Sequence, residues 1–313
     1  MSQDHNHTHN ANKKVLMFSF IIITVYMIIE AVGGFLTNSL ALLADAGHML
    51  SDSISLGIGL LAFIFGEKAA NYSKTYGYKR FEILAAVFNG VTLVLIAGYI
   101  FYEAYGRFMD PPEVASTGML IIATIGLLIN ILVAWLMMRG GDTKGNLNIK
   151  AAFLHVLGDL LGSVGAITAA LLMIFFDWGW ADPLASVVVA VLVLISGWRV
   201  TKESLHVLME GTPKNVQLDE IFETIKNVPG VKGLHDLHVW SITSGQNALS
   251  CHIVVDGEIT ILESQKILRE IEQGLESREI GHTTIQMENE DHPHEDSLIC
   301  QNEYGISEHK HDN

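Results

Sequence analysis

Two short stretches each place a histidine four residues before an aspartate inside a long apolar run: Ala44–Asp52 (ADAGHMLSD) and His155–Asp159 (HVLGD). Residues four apart in an α-helix lie on one face about one turn apart, so each stretch directs an imidazole and a carboxylate towards the same neighbour. Two neutral imidazoles suit a tetrahedral Zn²⁺, and two carboxylates cancel its charge. The predicted ligands of this intramembrane metal site are His48, Asp52, His155 and Asp159.

Histidine and aspartate side chains inside an apolar run have structural roles as well as metal binding. A lone buried histidine is more often a packed core residue than a ligand, but ionisable residues within a membrane span are costly and need a partner or a water-filled path. Two such motifs in separate spans therefore favour the metal site. Asp45 shares the helical face of His48, and it is either a further polar group of the ion path or a hydrogen-bonding residue that holds the helix. Glu30 is a further carboxylate inside an apolar run.

The composition indicates an integral membrane protein, because 50% of the 313 residues are hydrophobic and only 17% are charged. Six apolar runs are near the roughly 20 residues that a helix needs to cross a bilayer. These runs are Val15–Leu36, Leu40–Phe65, Phe81–Tyr105, Val114–Met138, Ala151–Phe176 and Pro183–Val200. Asn89 and Asn130 are expected to hydrogen-bond between helices, and small residues such as Gly162 are expected to let the second and fifth spans pack closely.

Lysine and arginine are distributed unevenly over the predicted loops. One side of the membrane receives eleven of them and the other side only Arg107, so the positive-inside rule predicts that both termini are cytoplasmic. The cysteines Cys251 and Cys300 are too few for a disulfide framework, which indicates a reducing compartment.

A fall in hydropathy after Val200 predicts a second domain. Two amphipathic helices, Val216–Val228 and Ile261–Leu275, alternate with three predicted strands. The strands are Gly233–Ile242, Ala248–Val255 and His282–Met287. The predicted organisation is a disordered His-containing tail (1–12), a six-helix transmembrane domain (13–205), a cytoplasmic α+β domain (206–290) and a polar His-containing tail (291–313).

The net charge of −15 is concentrated in the C-terminal third, where residues 206–313 contain 7 Lys and Arg against 20 Asp and Glu. Such a field repels nucleic acid and attracts cations, although an acidic surface kept for solubility explains it equally well. A second, cytoplasmic metal site is predicted at His235 and His252, which lie on neighbouring strands, with Glu288 at the end of the third strand. Partly exposed histidines are also common on strands without metal, so the alternative stays open.

Three segments of the sequence resemble the cation diffusion facilitators, most closely the bacterial zinc, cobalt and cadmium resistance exporters. They are Gly34–Ser53 (GFLTNSLALLADAGHMLSDS), His155–Asp159, and His235–Gly245 (HDLHVWSITSG). The resemblance implies a homodimer in the bacterial plasma membrane, with six transmembrane helices, a metallochaperone-like (ferredoxin-like) cytoplasmic domain, and the four ligands named above as its transport site. It also implies a lock between Arg80 and Glu210.

Two departures from the family pattern bear on metal binding. The loop segment Tyr76–Glu82 contains no histidine, so no metal is predicted there. On the last strand, Gln286 and Glu288 stand where certain members have His and Asp, so only His235 and His252 carry over directly. Glu288 is the third candidate ligand for a regulatory Zn²⁺.

The predicted function is export of divalent cations, chiefly Zn²⁺ and also Cd²⁺ or Co²⁺, in exchange for protons by alternating access. Metal ligands must be deprotonated, so protons and metal compete for one site. Two other classes of protein fit the sequence less well. An intramembrane zinc hydrolase would need an HExxH-like helix and an open coordination position, and a metal sensor would need an output module; neither feature is visible in the sequence, and no enzymatic activity is predicted.

Overall fold

In the computed structural model, the backbone is described for residues 4–65, 71–140, 147–243 and 245–290. Within those ranges, side chains are not described for residues 4–16, 19, 55–56, 58–65, 133–134, 136–140 and 147–158. The chain forms two compact units, Met1–Ser204 and Leu205–Asn313.

Six long helices account for most of the first unit, one for each predicted apolar run. They are α1 (Asp4–Thr37), α2 (Leu40–Phe65), α3 (Arg80–Met109), α4 (Ser116–Gly140), α5 (Leu147–Phe176) and α6 (Ala181–Leu208). Among the described residues, four stretches are long and apolar enough to cross a membrane: Phe20–Thr37, Arg80–Met109, Asp159–Phe176 and Ala181–Leu208. Ser116–Leu132 in α4 is apolar but shorter. Helices α1, α3, α5 and α6 are longer than the predicted runs because polar residues continue them at one or both ends, and α1 begins at Asp4, inside the segment predicted as a disordered tail.

Helix α2 packs against two groups of helices. On one side, Leu40 and Ala44 join a buried cluster with apolar residues of α3 and α6. On the other side, Ala41 and Leu42 join a second buried cluster with residues of α4 and α5. Small residues allow close approach between helices: a Cβ added at Gly197 of α6 would lie 2.9 Å from the carbonyl oxygen of Gly90 in α3. The helix that carries the first predicted ligand pair is therefore enclosed by its neighbours.

The second unit is a three-stranded sheet with two helices, in the predicted order. Its elements are α7 (Leu218–Lys226), β1 (Gly233–Thr243), β2 (Gln246–Val254), α8 (Ile261–Glu276) and β3 (Ile280–Glu288). The strand order is β1-β2-β3, with β1 antiparallel and β3 parallel to β2. Apolar residues of both helices and all three strands form one core. Helix α8 begins with a capping box between Thr260 and Glu263, which satisfies backbone N–H groups at its start.

Candidate metal sites

In the first unit, α2 and α5 bring three of the four predicted transport ligands together. One ligand atom of each of His48, Asp52 and Asp159 lies within 4.8 Å of the others. The Nε2 atom of His48 is 3.2 Å from Oδ1 of Asp159. A helical spacing of four residues places His48 and Asp52 on one face of α2, and that face meets α5. One imidazole and two carboxylates at this separation are able to bind a divalent cation.

The fourth predicted ligand, His155, lies in α5 one turn before Asp159. Its side chain is outside the described residues, so the complete four-ligand set remains a prediction.

Two buried carboxyl groups lie next to this cluster. Glu30 of α1 is 1% exposed and Asp45 of α2 is 3% exposed. The Tyr26 hydroxyl donates to Glu30 Oε1 at 3.2 Å and also lies 3.1 Å from the carbonyl oxygen of Ile122. Asp45 reaches α5, because a Cβ added at Gly162 would lie 2.7 Å from Asp45 Oδ1. The prediction that small residues permit the α2–α5 contact is thus confirmed at Gly162.

Two asparagines hydrogen-bond between helices beside the cluster, as predicted. The side-chain amide of Asn89 in α3 donates to the Ser51 hydroxyl in α2 at 2.8 Å. Asn130 in α4 donates to the Ser163 hydroxyl in α5 at 3.4 Å. Ser51 precedes the candidate ligand Asp52, so the Asn89–Ser51 bond helps to fix the orientation of α2 around the site.

The sequence-based interpretation missed a buried polar network at the beginning of α2. Asp182 in the first turn of α6 is fully buried and accepts hydrogen bonds from the Ser39 hydroxyl and from the backbone N–H of Leu40. Arg107, counted from the sequence only as a loop charge, lies beside it. The one signal in the sequence was an isolated aspartate at the start of an apolar run.

In the second unit, one residue from each strand contributes to a second cluster. His235 of β1 and His252 of β2 are directly opposite each other, and Glu288 is the last residue of β3. Glu288 Oε2 is 3.2 Å from His235 Nε2, and its Oε1 is 3.0 Å from His252 Nδ1. The three residues offer ligand atoms within 4.8 Å of one another, and both His235 and Glu288 are buried. Two imidazoles and a carboxylate are a ligand set that divalent zinc accepts.

Neighbouring side chains define the limits of this second cluster. The Gln286 amide donates to Glu288 Oε1 at 2.7 Å, so it orients the carboxylate. Asp236, at a bulge with φ of 52°, contacts His238 and His252 at 3.0 and 3.6 Å. His282 lies on β3 opposite Ala248, away from the three candidate ligands.

Burial, together with the charge of Asp236, raises the pKa of the Cys251 thiol to about 12, so Cys251 is a protonated core residue at neutral pH rather than a ligand.

The predicted lock between Arg80 and Glu210 involves residues of different units. Arg80 begins α3, and Glu210 follows α6 with a φ of 59°. Their pairing remains a prediction.

Comparison with known proteins assigns the family. Residues 16–209 match the cation efflux transmembrane domain, and residues 213–290 match the cytoplasmic domain of cation efflux proteins. The chain is 66% identical to a cadmium, cobalt and zinc/H⁺-K⁺ antiporter of Bacillus subtilis over 95% of this chain and 96% of that protein. It is 43% identical to the zinc transporter ZitB of Pectobacterium atrosepticum over 92% of this chain and 89% of that one.

A solved structure with a related sequence is the metal-bound C-terminal domain of the CzcD transporter from Cupriavidus metallidurans. It is 40% identical, with a TM-score of 0.22, and covers 23% of this chain and 99% of that chain. Together, the two family matches and the full-length relatives show that the chain belongs to the cation efflux family. It is a multi-pass bacterial membrane protein with six transmembrane helices and a small cytoplasmic domain, as predicted, and its family consists of transporters.

Replacement of Gly162 by alanine tests the α2–α5 contact. The added methyl group would lie 2.7 Å from Asp45 Oδ1, so the two helices must separate or Asp45 must move. We expect a decrease in zinc flux in proteoliposomes of about tenfold, because displacement of ligands by about 1 Å is costly to function. Gly165→Ala is the matched control on the same helix, since nothing lies within 4 Å of its added Cβ. Equal flux in both variants would contradict the importance of this contact.

Glu288→Gln tests the second cluster, because it keeps the side-chain size and removes the negative charge between His235 and His252. We expect the zinc affinity of the cytoplasmic domain to fall about tenfold or more, since a charged ligand becomes a neutral one. Isothermal titration of the full-length protein in an Asp159→Asn background measures this site without the transport site. His282→Asn is the control, and an unchanged affinity in Glu288→Gln would exclude Glu288 as a ligand.

Proposed function

We propose that this protein exports divalent cations from the bacterial cytoplasm across the plasma membrane in exchange for protons, with Zn²⁺ as the main substrate and Cd²⁺ and Co²⁺ as others. Membership of the cation efflux family supports the class of function. The names of the relatives, a cadmium, cobalt and zinc antiporter and a zinc transporter, support these substrates. The residues proposed to bind the transported ion are His48, Asp52, His155 and Asp159.

The contact between His48 and Asp159 is the observation that carries the mechanism. His48 Nε2 lies 3.2 Å from Asp159 Oδ1, so one cation placed between the two atoms is able to bind both side chains. A cation that binds both residues needs the Nε2 lone pair and a carboxylate oxygen, so an imidazolium or a protonated carboxyl group must release its proton before the ion binds. The cation and the proton therefore exclude each other at the same atom. Alternate opening of this site to the two sides of the membrane converts this competition into exchange.

The charge of the site also favours exchange. Asp52 and Asp159 would carry two negative charges in a region of low dielectric constant, and such charges are costly without a counter-charge. A divalent cation or protons supply that counter-charge. The return step of the cycle is thus favoured with protons bound, which couples the outward movement of metal to the inward movement of protons.

The second unit is proposed to regulate transport. A cytoplasmic position for this unit and for both termini is supported by the excess of lysine and arginine in loops on one side. His235, His252 and Glu288 are proposed to bind a regulatory Zn²⁺. Residues 213–290 match the dimerisation-type cytoplasmic domain of cation efflux proteins, which supports assembly as a homodimer. Arg80 with Glu210 is proposed as a lock between the two domains.

Zinc flux in proteoliposomes with an imposed pH gradient tests the proposal. We expect gradient-driven flux in the wild type and a loss of at least about tenfold in Asp159→Asn, because the neutral side chain no longer balances the charge of the cation and no longer exchanges a proton. Asp110→Asn, at an exposed position after α3, is the matched control. Retained flux in Asp159→Asn would exclude this transport site, and wild-type flux insensitive to the pH gradient would exclude proton coupling.

A further inference from the structure

The beginning of α2 is capped by a side chain from another helix. Asp182 lies in the first turn of α6 and is fully buried. Its Oδ1 accepts from the Ser39 hydroxyl at 2.6 Å and from the Ala41 N–H at 3.2 Å, and its Oδ2 accepts from the Leu40 N–H at 2.8 Å. A helix leaves its first N–H groups without partners within the helix, and here α6 supplies acceptors for two of them.

The remaining N–H groups of the first turn of α2 donate to Ser39, the residue that precedes the helix. The Leu42 N–H donates to the Ser39 hydroxyl at 3.2 Å, and the Leu43 N–H donates to the Ser39 carbonyl at 3.4 Å. Ser39 is thus an ordinary N-cap residue, whereas Asp182 adds a link between helices. The four N–H groups at the start of α2 are all satisfied, and the position of α2 along its axis is tied to α6.

A third helix completes the link through Arg107 at the end of α3. Its Nη1 lies 3.7 Å from Asp182 Oδ2 and donates to the Asn38 carbonyl at 2.6 Å. Its Nη2 also donates to Asn38 Oδ1 at 3.1 Å. The guanidinium and the positive end of the α2 dipole both compensate the charge of Asp182. Below this network, apolar residues of α2, α3 and α6 form one buried cluster.

We infer that Asp182 is a positioning residue for transport, which holds α2 so that His48 and Asp52 meet Asp159 in binding geometry. This inference rests on the proposed transport site. His48 lies eight residues after Leu40, roughly 12 Å along the helix axis at 1.5 Å per residue, so a shift or rotation at the anchored end is carried directly to the ligands. Loss of the link lets α2 move by the order of 1 Å that metal coordination does not tolerate.

A pair of variants separates positioning from stability. Asp182→Ala removes the acceptors of the Leu40 and Ala41 N–H groups and, with them, the link to α6. The double variant Ser39→Asp/Asp182→Ala restores a carboxylate cap from α2 itself, since aspartate is a good N-cap residue, and the space vacated by Asp182 accommodates the larger side chain. The double variant leaves α2 without its bond to α6. All variants carry Glu288→Gln, so that zinc titration reports the transport site.

We expect Asp182→Ala to melt at a lower temperature, to bind zinc about tenfold more weakly or worse, and to have a correspondingly higher KM for flux. The double variant should recover the melting temperature but not the zinc affinity. If Asp182→Ala does not fold, Asp182→Asn takes its place, because it keeps one acceptor oxygen. We then expect smaller changes in the same direction in melting temperature, zinc affinity and KM.

Three results would overturn the positioning role. The first is wild-type zinc affinity and flux in Asp182→Ala. The second is recovery of the zinc affinity together with the melting temperature in the double variant. The third is a double variant in which the zinc affinity and the melting temperature both stay low. Failure of the transport proposal itself is distinguishable, because zinc binding and flux would then be insensitive to Asp159→Asn in a chain that retains Asp182.

Discussion

The structure of the first unit depends on one constraint: the charges of a few histidine and aspartate side chains must be balanced inside a membrane. His48 Nε2 lies 3.2 Å from Asp159 Oδ1, and a proton added to either group reduces the negative charge of the pair. The same two groups are suited to a divalent ion when the proton leaves. Packing, capping and hydrogen bonding of the surrounding helices serve to keep α2 and α5 at the distance where both states are accessible.

Different interactions fix α2 at different levels of the membrane. At its beginning, Asp182 and Ser39 satisfy its backbone, and apolar contacts enclose the next turns. Near the ligands, Asn89 bonds to Ser51, and Gly162 leaves room for Asp45. Polar bonds within a membrane are individually modest, but together they restrict rotation and translation of the helix. The ligand geometry is thus a property of several helices rather than of two short motifs.

The sequence predicted the parts of this structure that depend on local pattern. Six apolar runs, the His-x-x-x-Asp motifs and the helix–strand order of the second unit follow from hydrophobicity and spacing, and the cross-strand meeting of His235 and His252 follows from adjacent strands. The role of Asp182 was not predictable in this way, because its partners are groups more than 140 residues earlier in the chain and two of them are backbone N–H groups. The bounds of strands also differed by one or two residues, since ladder pairing extends them beyond their apolar cores.

The pairing register of β2 and β3 determines which side chain of β2 faces Glu288 in the second cluster. His252 faces Glu288, whereas the adjacent Cys251 points into the core with a protonated thiol. Side chains alternate between the faces of a sheet, so a slip of β2 by one residue relative to β3 would exchange these two positions. The cluster would then present sulfur in place of an imidazole, and soft ions such as Cu⁺ would be favoured over zinc. The parallel pairing of β2 with β3, which aligns His252 with Gln286 and Val254 with Glu288, thereby determines whether nitrogen or sulfur would be offered to a metal ion.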